Sequence, residues 1–114
     1  MNGKQYETAA AIYLKFHGYT VVDRNYHSRF GEIDIIARKK ETLVFVEVKA
    51  RGRNAICEPA YAVDVYKQKK ILKTAQFYIL HKSKEDCDIR FDVIEITKGR
   101  LFLKFNHITD AFGV

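Results

Sequence analysis

Clustered metal ligands are missing from this chain. Cys57 and Cys87 are its two cysteines in 114 residues, thirty positions apart and in no CxxC pair, which excludes a zinc knuckle or a disulfide framework. Two reduced, packed thiols are expected. His17, His27, His81 and His107 are scattered without ligand spacing, so local capping or solvent exposure is expected of each. Tryptophan is absent, and the Tyr and Phe residues follow no RNP-like or OB-like pattern, so most belong in a core. No apolar run approaches the roughly 20 residues of a membrane helix. No charged segment leads into an apolar stretch near the start, so neither a signal peptide nor membrane attachment is expected. These absences point to a cytoplasmic protein. Repeats, linkers and low-complexity segments are also lacking.

What is present suffices for one domain spanning 1–114. Hydrophobic residues make up 47% and charged residues 30% of the chain, the balance of a globular protein with a single core. The formal net charge of +6 favours a polyanionic partner such as nucleic acid.

Asn2 can cap a first helix over about 3–17, whose apolar stripe ends at Gly18. Tyr19 to Val22 reads as a short strand followed by a polar turn at Asp23, Arg24 and Asn25. The strongest strand signals are residues 32–38 and 42–50, separated by a charged stretch that fits only a hairpin turn. A loop containing Pro59 leads to a long helix over about 60–81, with Val65, Leu72, Ala75 and Ile79 inward and its lysines outward. Residues 89–97 and 101–105 read as two last strands. The order α-β-β-β-α-β-β describes an α/β fold, a mixed sheet with a helix on each face.

The hairpin GEIDIIARKKETLVFVEVKAR carries charge where a core would reject it. Strand alternation places Asp34 with Ile36, and Ile33 with Ile35 and Ala37. On the next strand Phe45, Glu47 and Lys49 share one face, and Val44, Val46 and Val48 the other. A two-residue turn at Lys40 and Glu41 sets Asp34 directly opposite Glu47, with Cβ atoms about 4.5–5.5 Å apart. Such a pair repels unless something positive lies between. Mg²⁺ or Mn²⁺ would satisfy it and keep positions for water and a phosphate. Lys49 could then stabilise the charge developing on a phosphoryl group. On the residues alone a second reading stays open, that of a cross-strand salt-bridge cluster on a solvated face.

The same segments resemble the YraN-like uncharacterised bacterial family within the PD-(D/E)xK nuclease superfamily. The resemblance continues through YETAAAIYLKFHGY, RNYHSRFGEID, KQKKILKTAQFYIL, RFDVIEI and HITDAF. It implies a restriction endonuclease-like core related to archaeal Holliday junction resolvases, with Asp34, Glu47 and Lys49 as the D and ExK residues and Asp34 and Glu47 as metal ligands. Glu7 matches a glutamate that such families carry on the first helix, near the metal site. Tyr6 stands where the family tends to have glycine, and His27 where it tends to have arginine. The activity implied is metal-dependent hydrolysis of DNA phosphodiesters, at branched or structured DNA. A non-catalytic nucleic-acid-binding module with the same fold is the alternative, and a structural protein a third.

For binding DNA, Arg24, Arg29, Arg51 and Arg53 fall at strand ends or adjoining loops, and Lys67 and Lys70 lie on the outer side of the second helix. Each could equally be a solvated surface charge. A two-fold homodimer would suit a branched substrate with symmetric arms.

Overall fold

The computed structural model describes residues 1–51, 63–82 and 87–113. Arg53, Cys57, Pro59 and the expected helical start at 60–62 lie outside them. Seven elements run α1 (Gly3–Phe16), β1 (Thr20–Ser28), β2 (Gly31–Lys39), β3 (Thr42–Arg51), α2 (Val65–Lys82), β4 (Asp88–Lys98) and β5 (Leu103–Phe112). The five strands form one sheet in sequential order. Neighbours are antiparallel except β3 and β4, whose parallel pairing requires the crossover that contains α2.

Local chemistry explains where α1 begins and ends. Asn2 and Gln5 exchange side-chain and backbone hydrogen bonds in a capping box. At the other end Gly18, at φ 85°, lets the Tyr19 amide donate back to the Leu14 carbonyl at 3.0 Å, closing the last turn. For α2, the Asp64 carboxylate accepts from the Lys67 amide at 2.9 Å, so the described helix starts at Val65.

Two apolar layers sandwich the sheet. Ala10, Ala11 and Leu14 of α1 pack on Ile35, Ala37, Val44, Val46, Ile94 and Ile96. Ile71, Ala75 and Tyr78 of α2 pack on Ile33, Ile36, Leu43, Phe45, Phe91 and Val93. With both faces covered, the central strands can be apolar nearly throughout.

Several sequence expectations need correction. β1 runs on through the expected polar turn, because a bulge between Val21 and Asp23 and a left-handed Asn25 (φ 51°) accommodate it at the sheet edge. β5 extends to Phe112, and Leu101 and Phe102 lie exposed before it. Its partly buried residues serve both layers, Leu103 and Phe105 on the α1 side and Ile108, Ala111 and Phe112 on the α2 side, and a register shift opposite Phe91–Val93 with a positive φ at Asp110 interrupts the ladder, which together hide the period of two. Val65 is 64% exposed, whereas Ala75 is buried with Ile71, Thr74 and Tyr78 on the inward side of α2, and Leu72 and Ile79 pack partly buried against the same core, as expected. Ile33 packs under α2 with Ile36, while Ile35 and Ala37 face α1. Strand alternation therefore breaks at Asp34, beside the left-handed Asn25. His107 is not solvated: its side chain is 9% exposed and its Nε2 lies 2.7 Å from Asp92 Oδ2.

Candidate metal centre at the parting of β2 and β3

The hairpin turn has two residues, as expected. Lys39 pairs with Thr42 and Ile36 with Phe45, and the ladder ends at Ile35 and Val46. The next residues on each strand are Asp34 and Glu47. Beyond them β2 pairs only with β1, and β3 only with β4. This parting would leave the Val48 amide without a strand partner, and Asp34 Oδ2 accepts its hydrogen bond at 2.8 Å. The aspartate is thus anchored where the two strands separate.

Glu47 faces α2 and is only 6% exposed. Its Oε1 lies 2.8 Å from Lys67 Nζ, a lysine whose side chain is 53% exposed. Lys49 lies on the same face of β3, half-buried, in register with Glu95 on β4. Glu7 reaches the site from α1: its Oε1 is buried and accepts no hydrogen bond among the described residues.

The electrostatics of this notch are under-compensated. Burial, then the Glu47 charge, push the Asp34 carboxyl up from 3.8 to about 7, against the Val48 hydrogen bond and the Lys67 charge. Burial and the Asp34 charge likewise raise Glu7, although a hydrogen bond from Asn25 and the Arg24 charge oppose them. Burial works against the Lys67 ammonium, yet its hydrogen bond and charge attraction to Glu47 outweigh that and raise its pKa. A buried Glu7 oxygen with no hydrogen-bond partner among the described residues, near an Asp34 that repels Glu47, leaves negative charge that a hard divalent cation such as Mg²⁺ or Mn²⁺ would offset. Among the described residues no three His, Cys, Asp or Glu side chains form a ready cluster. Asp34 and Glu47 would supply two ligands, with water or a phosphate completing the shell.

The other expected residues are more dispersed. Arg24 is exposed, and its Nη2 donates to Thr8 Oγ1 at 2.9 Å. Arg51 Nε lies 2.8 Å from Glu95 Oε2, with both side chains 16% exposed. Lys70 sits over the Tyr66 ring at 4.5 Å, and Arg29 over Phe30 at 5.0 Å. Lys67, expected as an outward phosphate contact, is the ion-pair partner of Glu47.

Sequence reasoning missed that pairing because α2 and β3 meet only in the fold. It also missed a buried network on the α1 side. There Asp92 accepts from Arg90 Nε and Nη2 at 2.8 Å, from the Asp110 amide at 3.0 Å, and contacts His107. Burial alone would raise Asp92, but the hydrogen bonds from His107, Arg90 and Asp110 hold it below its ordinary value. The only sequence signal was a charged residue inside the alternating run RFDVIEI.

The architecture is that of an α/β protein with a five-stranded mixed sheet between two helices, consistent with a nuclease-like core. The chain matches the model of the uncharacterised protein family UPF0102 over residues 6–96. It is 43% identical over 114 residues to a UPF0102 protein of Persephonella marina, covering all of this chain and 95% of that one. A UPF0102 protein of Campylobacter hominis is 50% identical over 99 residues, covering 87% of this chain and 86% of its own. The protein belongs to the UPF0102 family, the YraN-like family that its motifs resemble. No helix among the described residues is long and apolar enough to cross a membrane.

Proposed function

We propose that this protein is a metal-dependent endonuclease that hydrolyses phosphodiester bonds in DNA, at branched or structured sites. The observation that carries the reading is the like-charged pair Asp34 and Glu47, set where β2 and β3 part, with a buried Glu7 oxygen, unpartnered among the described residues, near Asp34. Asp34 and Glu47 would hold Mg²⁺ or Mn²⁺. When bound, such an ion polarises the phosphate and acidifies a water that can attack it. Lys49 offsets charge developing on the phosphoryl oxygens. Lys67 orients the Glu47 carboxylate, and Glu7 offers an acceptor for a water proton. The net charge of +6 and the arginines and lysines around the site favour a polyanionic substrate.

The test incubates purified protein with linear, single-stranded, flapped and four-way DNA, with Mg²⁺ or Mn²⁺, beside Asp34→Ala. Metal-dependent cleavage by wild type, lost in the variant, is expected. Binding without cleavage of any substrate, or equal cleavage by the variant, would leave a nucleic-acid-binding module in its place.

A further inference from the structure

The connection between β1 and β2 is pinned against α2. Ser28 Oγ lies 3.0 Å from Thr74 Oγ1, which is fully buried on α2. Gly31, with φ 156°, lets the chain pass so close to α2 that a Cβ there would meet Lys70 Cβ at 3.3 Å. A side chain at residue 31 would strain the backbone at this positive φ and crowd Lys70. The consequence is that Arg29 and Phe30 are held beside the outer side of α2.

Together they bound an open groove of about 770 Å³, lined by Arg29, Phe30, Lys73, Phe77, Leu80 and His81, with Gln76 between. Among the described residues no acidic side chain lines it. Arg29 and Lys73 stand over the Phe30 ring at 5.0 and 5.8 Å, and Phe77 stacks on His81 at 4.1 Å. Neither Phe30 nor Phe77 belongs to the packed core clusters. Aromatic faces among cations, with no negative charge, suit a ligand that is flat, apolar on its faces and anionic at its edge. An unpaired nucleotide has that chemistry.

The groove and the Glu47 site both draw on α2, from different turns of the helix. Lys67 holds Glu47, Lys70 and Lys73 follow at three-residue steps, and Phe77 is ten residues on. At about 1.5 Å per residue the separation along the helix is roughly 15 Å, on the order of four base steps of about 3.4 Å.

We propose that the Arg29–Phe30–Lys73–Phe77–His81 groove is a stacking platform for unpaired nucleotides, so that the DNA reaching Asp34 and Glu47 carries a single-stranded segment about four nucleotides from the cut. This rests on the nuclease reading for its link to cleavage, but the binding itself does not. The test measures fluorescence anisotropy of a labelled oligothymidylate and of a blunt duplex of equal length, with full-length protein in EDTA. Phe77→Ala and Phe77→Leu are each expected to weaken single-strand binding about 5- to 150-fold and leave duplex affinity unchanged. Phe77→Trp, which restores a ring face, retains wild-type binding. Undiminished single-strand binding by Phe77→Leu, or equal loss on both probes, would overturn the platform. Because no divalent cation is present, failure of the cleavage assay leaves this result standing. A wild type that cuts DNA while Phe77→Leu binds normally would remove the platform and keep the metal site.

Discussion

Replacing Asp34 by asparagine should stabilise the metal-free protein at neutral and alkaline pH. Asp34 and Glu47 are like charges held where two strands part, and Lys67 supplies one positive charge to both. The rise of Asp34 from 3.8 to about 7 corresponds to about 4 kcal/mol as an upper limit. The sign follows from proton counting. Between those values the folded protein holds a proton that the unfolded chain has released, so stability falls as pH rises through the window and is flat above it. An asparagine has no charge to desolvate and can still accept from the Val48 amide. For a domain of this size each kcal/mol moves Tm by about 4 °C, so the ceiling is a gain of about 15 °C at about pH 8, vanishing near pH 4. Circular dichroism melts of both proteins in EDTA at the two pH values measure it. An Asp34→Asn protein that melts at or below wild type at the higher pH refutes the reasoning, as does an equal gain at both. Exchanging EDTA for Mg²⁺ should raise the wild-type Tm and narrow the gap, since a ligand of the native state stabilises by mass action.

Two further predictions concern the charges around the sheet. Lys67→Met leaves Glu47, 6% exposed, without its ion pair; it should cost about 1–3 kcal/mol in urea unfolding in EDTA, and an unchanged midpoint would show that the pair is not coupled to stability. Asp92→Asn strips a fully buried carboxylate from Arg90, His107 and the Asp110 amide and should cost about 3–5 kcal/mol at neutral pH. Its pH dependence is opposite to that of Asp34. Asp92 titrates below its ordinary value, so its contribution is present above about pH 4 and lost as pH falls through the lowered value. Acid titration monitored by circular dichroism should find the wild-type advantage over Asp92→Asn shrinking as the pH drops, and a constant advantage would contradict the assignment.

The central hairpin was legible because its information is local. Two strong strand runs and a turn too short for anything else determine the register, whose last pair, Ile35 and Val46, makes Asp34 and Glu47 the next residue on each strand. Alternation then places Lys49 with Glu47. The edge strands were less legible for an equally physical reason. β1 and β5 each have a register shift and a left-handed residue, Asn25 and Asp110, which interrupt the ladder on which a period of two depends. The same break at Asp34 moved Ile33 out of the face that alternation assigns it. His107 was misjudged because its partner Asp92 lies fifteen residues away on a neighbouring strand.

By itself the sequence determined the order of elements, the hairpin register and the identity of the acidic pair, since each follows from short-range periodicity and turn chemistry. Tertiary structure alone decided that the β2–β3 ladder stops at Ile35 and Val46, that Lys67 is the ion-pair partner of Glu47, and that Glu7 arrives from the opposite layer with a buried oxygen that has no hydrogen-bond partner among the described residues. Those facts depend on how two helices cross a twisted sheet, and helix-to-strand contacts between distant segments leave no period in the chain.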